Sequence, residues 1–273
     1  MHFANRVPVW ILAGVLLAGS APAAGPLYSE AGLLNGANFA AGPFAPNSIV
    51  SLFGSNLAWS EETLSPGNTG GGSLPDHLAG VRVFVANLSA PLLYVGPSQI
   101  NFLIPGNLRP GEVMVRVVRQ GVTGPEVPLT LVDAAPQIFQ TEDGYAIAQH
   151  GEDYSRITGA APARAGEIIV IYLTGLGHTE PDPLPGEIPT YPGRIARPDG
   201  LQLYLDAAPL SPQQILYAGL TPGSAGVYQI NAALPEDLGP DPEIRVAVDH
   251  QISIAGLKLA TILQPQRSDP AER

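Results

Sequence analysis

Gln99-Ile100-Asn101-Phe102-Leu103-Ile104-Pro105 recurs as Gln229-Ile230-Asn231-Ala232-Ala233-Leu234-Pro235. In each copy Ile100, Phe102 and Ile104, or Ile230, Ala232 and Leu234, alternate with a face that carries Gln and Asn. That period of two is the mark of a half-buried strand, and the closing proline, which has no N–H to give to a ladder, sets its end. Two such strands in corresponding places imply two related domains.

Working outward, short apolar runs bounded by turn residues surround each copy. In the first half these are Ile49 to Gly54, Val81 to Val85, Pro91 to Val95, Val113 to Val117 and Val127 to Leu131. In the second they are Ile169 to Gly175, Leu201 to Leu205, Ile215 to Gly219 and Ile244 to Val248, with Leu257 to Leu263 expected to close the domain. The matches keep their order while their offset grows, from 121 for Gly54 and Gly175, to 123 for Tyr94 and Tyr217, to 130 for Asn101 and Asn231, so the second copy has gained loop residues. No segment sustains helical spacing. The expected fold is all-β: two tandem immunoglobulin-like antiparallel β-sandwich domains, over residues 24–133 and 134–264, which pack or pivot near 132–137. Residues 265–273 read as a loose tail, and the polar, Gly-rich stretch 60–73 as a mobile loop inside the first domain.

Composition agrees with this class. The 273 residues suit two domains, and the 31 glycines and 29 prolines punctuate apolar runs in a chain that is 45% hydrophobic and only 14% charged. Residues 1–23 combine Arg6, an apolar core from Val9 to Ala18 and small residues at Ala21 and Ala23, the parts of a secretory signal peptide with cleavage expected after Ala23. The expected location is secreted, at the cell surface or otherwise extracellular, with the periplasm as the other compartment such a leader serves, and no membrane contact beyond the leader. Cysteine is absent, which excludes a disulfide framework, a thiolate site and a lipid-accepting thiol. The formal charge is −11; residues 134–273 carry 17 acidic against 8 basic side chains. Such a surface repels phosphate backbones, and no basic run argues for nucleic acid.

The residues Asn38-Phe39-Ala40, Ala45-Pro46-Asn47-Ser48 leading into Ile49 to Gly54, Ala90 to Val95 and Gln99 to Phe102 resemble the Solibacter-type C-terminal domain family of acidobacterial secreted proteins. Tyr172 to Gly177, Tyr217 to Leu220 and Gly226 to Asn231 extend the resemblance to the second half. It implies tandem immunoglobulin-like or IPT/TIG-like sandwiches outside the cell, and it supplies no active site.

Candidate chemistry is sparse. Gln99, Asn101, Gln229 and Asn231 are read as markers of the structural repeat, their amides satisfying backbone groups of an adjoining loop, so that Asn101→Ala is expected to cost about 1–3 kcal/mol. His178, Glu180 and Asp182 share one Pro-rich loop and are the loop candidates for function. No histidine pair has metal-ligand spacing, and Ser224 lacks the first glycine of a nucleophile elbow. No catalytic, cofactor or metal residue is assigned. If an ion binds, Ca²⁺ suits the carboxylates of Asp237, Asp241 and Glu243 or of Glu180 and Asp182, although neither group has EF-hand order. The reading is a non-catalytic structural or interaction module for adhesion or assembly, whose partner is an extracellular protein or glycan. The alternatives are a carbohydrate-binding module, which needs Trp59, Tyr191 or Tyr204 to form a flat platform, and a secreted hydrolase, which needs His178 or paired acids to line a cleft.

Overall fold

The computed structural model describes residues 24–262. The expected signal peptide, the tail from 265 and the last two residues assigned to the second domain lie outside them. The chain is all-β, with two tandem immunoglobulin-like antiparallel sandwiches. In the first, one sheet runs Leu27–Asn35, Ile49–Ser55, Gln99–Leu103, Leu92–Val95 and Glu62–Thr63, and its partner sheet runs Val127–Leu131, Gly111–Arg119, Val81–Val85 and Leu88–Ala90. In the second, Ile168–Thr174, Tyr228–Ala233 and Ile215–Leu220 form the centre of the larger sheet, and Leu201–Leu205 with Ile244–Val248 the centre of the smaller. Each sandwich closes on its own apolar core. Val50, Leu52, Val83, Ile100, Phe102 and Val117 are among the side chains of one, and Ile169, Ile171, Leu203, Tyr228, Ile230 and Val246 of the other.

The two Gln-Ile-Asn strands sit at the middle of equivalent sheets, and the ladders around them match. Phe53 faces Gln99 and Tyr172 faces Gln229 across one side. On the other side Tyr94 faces Asn101 and Tyr217 faces Asn231, each after a bulge that leaves Leu93 or Leu216 without an opposite residue. The ladders thus make Ser55 the equivalent of Thr174, two positions away from the match of Gly54 with Gly175 that composition of the strand ends suggests. A shift of two preserves which face every side chain occupies.

Three expectations change. The Leu27–Asn35 strand is absent from the sequence reading because a bulge between Tyr28 and Leu33 breaks its alternation. Within the described part of the expected closing strand, residues 257–262 form none; Lys258 bridges both Tyr145 and Glu243 while Thr261 bridges Ala163, so this segment crosses several neighbours and follows none. The 60–73 loop does not stand free of the second half. Ile188 N–H donates to Gly72 C=O at 2.7 Å, Leu74 N–H to Gly186 C=O at 2.7 Å, and Ser73 bridges Glu187 in antiparallel fashion. Main-chain pairing of this kind needs no apolar side chain, which is why composition misses it.

Leu74 also enters a third apolar cluster that joins the sandwiches. From the first come Ile49, Leu64, Leu74, Leu93 and Leu103; from the second come Phe139, Ile188, Ala225 and Val227. The halves are therefore packed together through side chains on the outer face of the first sandwich's sheet. Among the described residues no helix is long and apolar enough to cross a membrane.

Candidate functional site

The repeat markers are paired with each other. Gln99 Nε2 donates to Asn101 Oδ1 at 2.8 Å, and Gln229 Nε2 donates to Asn231 Oδ1 at 3.0 Å. All four are half-buried on the outer faces of their sheets. The backbone partner expected for Asn101 is a neighbouring side chain instead, so removing the amide strands only a partly hydrated glutamine, and the cost falls to about 1 kcal/mol or less.

Of the loop candidates the structure joins two. His178 Nδ1 lies 2.5 Å from Asp182 Oδ2, and Asp182 Oδ1 accepts from Thr179 N–H at 2.9 Å and Thr179 Oγ1 at 3.2 Å. Thr179 is buried while His178 and Glu180 are exposed, and Glu180 joins the loop through main-chain pairing with Arg194. Asp182 thus closes a turn with one oxygen and orients an imidazole with the other. A second such pair, not singled out by spacing, links His150 Nδ1 to Glu167 Oε1, while Glu167 Oε2 accepts from Arg164 N–H at 2.9 Å.

The acidic turn is likewise internally engaged. Asp241 accepts from Tyr145 OH at 3.1 Å and Thr261 N–H at 3.2 Å, and Glu243 accepts from Gly256 N–H at 2.8 Å. No group of three or more His, Cys, Asp or Glu able to hold a metal ion occurs among the described residues. The aromatics named for a platform stand in separate settings. Trp59 is exposed, with Arg119 stacked on one ring face at 3.8 Å and its N–H donated to Gln120 at 3.1 Å. Tyr191 packs against the second core, and Tyr204 faces Arg245 and Pro209 within its own sheet. The sole close pair of aromatic rings among the described residues is Phe39 with Phe53.

The most highly constructed polar site lies at the junction, on residues that carry the family resemblance in the sequence without standing out there as site candidates. Thr174 is fully buried; its Oγ1 accepts from Ile49 N–H of the first sandwich at 3.1 Å and donates to Gly226 C=O of the second at 2.8 Å. Gly226 has φ +75°, and a Cβ there would lie 2.4 Å from Leu103 Cδ1 and 2.8 Å from Ile49 Cγ1, so both the turn and the close approach require glycine. Asn38 Nδ2 reaches across to Gln137 Oε1 at 2.7 Å. Beside them Tyr228 OH donates to Gly177 C=O at 2.6 Å. Burial, helped by the charge of Asp182 and partly offset by the Asn47 amide, pushes its phenol well above the usual 10.0. Nothing marks a threonine at a strand end as a bridge, although the φ-permissive glycine in Ala225-Gly226-Val227 marks a tight approach.

These features define a class, a tandem immunoglobulin-like protein whose two sandwiches share a largely apolar, hydrogen-bonded junction. No family model matches the chain, and no curated protein matches it. Among solved structures it is similar to the SGBP-B protein of the Bacteroides ovatus mixed-linkage glucan utilization locus, at 11% identity and TM-score 0.32 over 81% of this chain and 43% of that one. It is also similar to domains 5–6 of the S-layer protein SbsC, at 10% identity and TM-score 0.26 over 82% and 93% of the chains. Titin A168–169 matches at 13% identity and TM-score 0.26, over 88% of this chain and the whole of that one. The chain spans less than half the length of the Bacteroides ovatus protein.

Proposed function

We propose that the protein is a secreted, non-catalytic structural or interaction module of the Solibacter-type kind, acting at the cell surface as one stiff body in adhesion or assembly. The observation that carries this reading is the junction: a buried threonine hydroxyl, a steric glycine and a main-chain bridge join the sandwiches beside a shared apolar cluster. A hinged pair of domains needs none of these, whereas a module that transmits or maintains spacing needs all of them. The side chains that could carry chemistry are drawn into turns, which supports a scaffold role in the same direction.

The test is retention. The protein with its leader, expressed in its source cells and cross-linked, is expected in the envelope fraction together with a reproducible partner. Recovery as free protein in the medium, with nothing cross-linked, would reject the module reading.

A further inference from the structure

The two copies differ most informatively where their ladders agree. In the first sandwich, Ile49 faces Leu103 at the end of the central pair of strands, and the bulge residue Leu93 lies one strand over. All three point out of the sheet into the junction, where Ile49 is 9% and Leu103 4% exposed. The same positions in the second sandwich are Ile168, which faces Ala233, and the bulge residue Leu216. There Ile168 is 45% and Leu216 44% exposed. The duplicated sheet thus has the same outward apolar positions twice, once covered by a sandwich and once exposed at Ile168 and Leu216, with Ala233 half-buried between them.

What covers the first copy is the loop end of a sandwich, built from Thr174, Gly226 and Val227, together with Phe139, Ile188 and Ala225. By the ladder, the equivalents in the first sandwich are Ser55, Gly96 and Pro97. Ser55 and Pro97 are exposed, and Trp59, 55% exposed, stands beside them: Leu57 N–H donates to Pro97 C=O at 3.0 Å, and Arg119, stacked on Trp59, donates to Asn56 C=O. One chain therefore carries an uncovered socket face at one end and an uncovered loop end at the other.

We infer that the outer sheet face around Ile168 and Leu216 is a docking surface for the Ser55, Trp59 and Pro97 end of a second copy of this chain. The contact sets the equivalents of Thr174, Gly226 and Val227 on the equivalent sheet face, with Trp59 taking the place of the apolar side chains that Phe139 and Ile188 supply within one molecule. Because the two surfaces are different and lie on different sandwiches, the contact is heterologous and propagates head to tail. Trp59 supplies the large apolar anchor that such an interface requires, held rigid before binding by Arg119 and Gln120. This rests on the module reading and names its partner; a monomeric protein that is still retained in the envelope by another partner would end this inference and leave that reading standing.

The experiment is sedimentation of the full chain across concentration, for the wild type and for two variants at exposed positions. Ile168→Glu with Leu216→Glu blocks the socket, and Ser55→Arg blocks the loop end. The wild type is expected to form a concentration-dependent series of oligomers, and each variant alone to stay monomeric. An equimolar mixture of the two variants is expected to give a dimer and nothing larger, since one intact socket meets one intact loop end. Circular dichroism melts within about 2 °C of wild type show that the variants fold, surface changes of this kind being small in effect. A wild type that stays monomeric up to about 1 mM, the weak limit of specific association, overturns the inference. So does association that survives either variant, or a mixture that stays monomeric.

Discussion

Replacing Thr174 by valine keeps the shape of the side chain and removes the hydroxyl that bridges the sandwiches. Two main-chain groups then lose their partner in a place water does not reach: Ile49 N–H, bonded at 3.1 Å, and Gly226 C=O, bonded at 2.8 Å. An unsatisfied buried donor or acceptor costs about 1–3 kcal/mol, so the pair costs about 2–6 kcal/mol, with the lower half favoured if a slight separation of the sandwiches admits water. For a chain of this size about 3 kcal/mol corresponds to a fall in Tm of about 6–12 °C. Thr174→Ser retains the hydroxyl and forfeits one buried methyl, about 1 kcal/mol. Scanning calorimetry provides the measurement and a second readout, because the wild type is expected to melt in one transition and the valine variant to show the sandwiches beginning to separate. A valine variant within about 0.5 kcal/mol of wild type, or a serine variant less stable than the valine one, would refute the idea that this hydroxyl joins the halves.

Tyr228 makes an alkaline prediction. Its folded phenol is raised above the unfolded value of 10.0, so above pH 10 the unfolded state releases a proton that the folded state keeps. Stability is therefore unaffected by this group below pH 10 and falls above it by up to about 1.4 kcal/mol per pH unit until the folded phenol itself titrates. Tyr228→Phe removes that slope at the expense of the bond to Gly177, and denaturant melts at pH 8, 10 and 11 measure the difference; identical slopes for the two proteins would count against it. The loop pair makes an asymmetric one. Asp182→Ala leaves Thr179 N–H without its acceptor, while the Thr179 hydroxyl keeps Pro181 C=O at 2.9 Å, and is expected to cost about 1–2 kcal/mol, whereas His178→Ala removes only an exposed partner and is expected to cost less than about 0.5 kcal/mol. Equal losses in urea titrations would mean that the imidazole, and not the turn, is what Asp182 supports.

Much of the architecture is legible in the chain because the strands advertise themselves through alternation: Ile100 and Phe102, Ile230 and Ala232 fall on the core faces their periodicity assigns. The junction is not legible in this way. Its main-chain bridges at Gly72, Leu74 and Ile188 carry no side-chain signal, Thr174 reads as an ordinary strand threonine, and Leu93 reads as one more apolar residue in an apolar run. What does identify the site is a comparison that needs both the repeat and the ladders. Two residues that occupy the same bulge, Leu93 and Leu216, have the same chemistry and different environments, the first half-buried against the junction and the second exposed. Selection for a core explains the first and not the second, since a leucine held outward on a bulge gains nothing from water. Had the Gln-Ile-Asn repeat served a ligand through its amides, the copies should diverge there, one site being tuned and the other released; instead both amide pairs close in the same geometry, and the copies diverge in what lies on top of them. The functional asymmetry of this protein is therefore one of coverage, and it falls on the free face of the second sandwich.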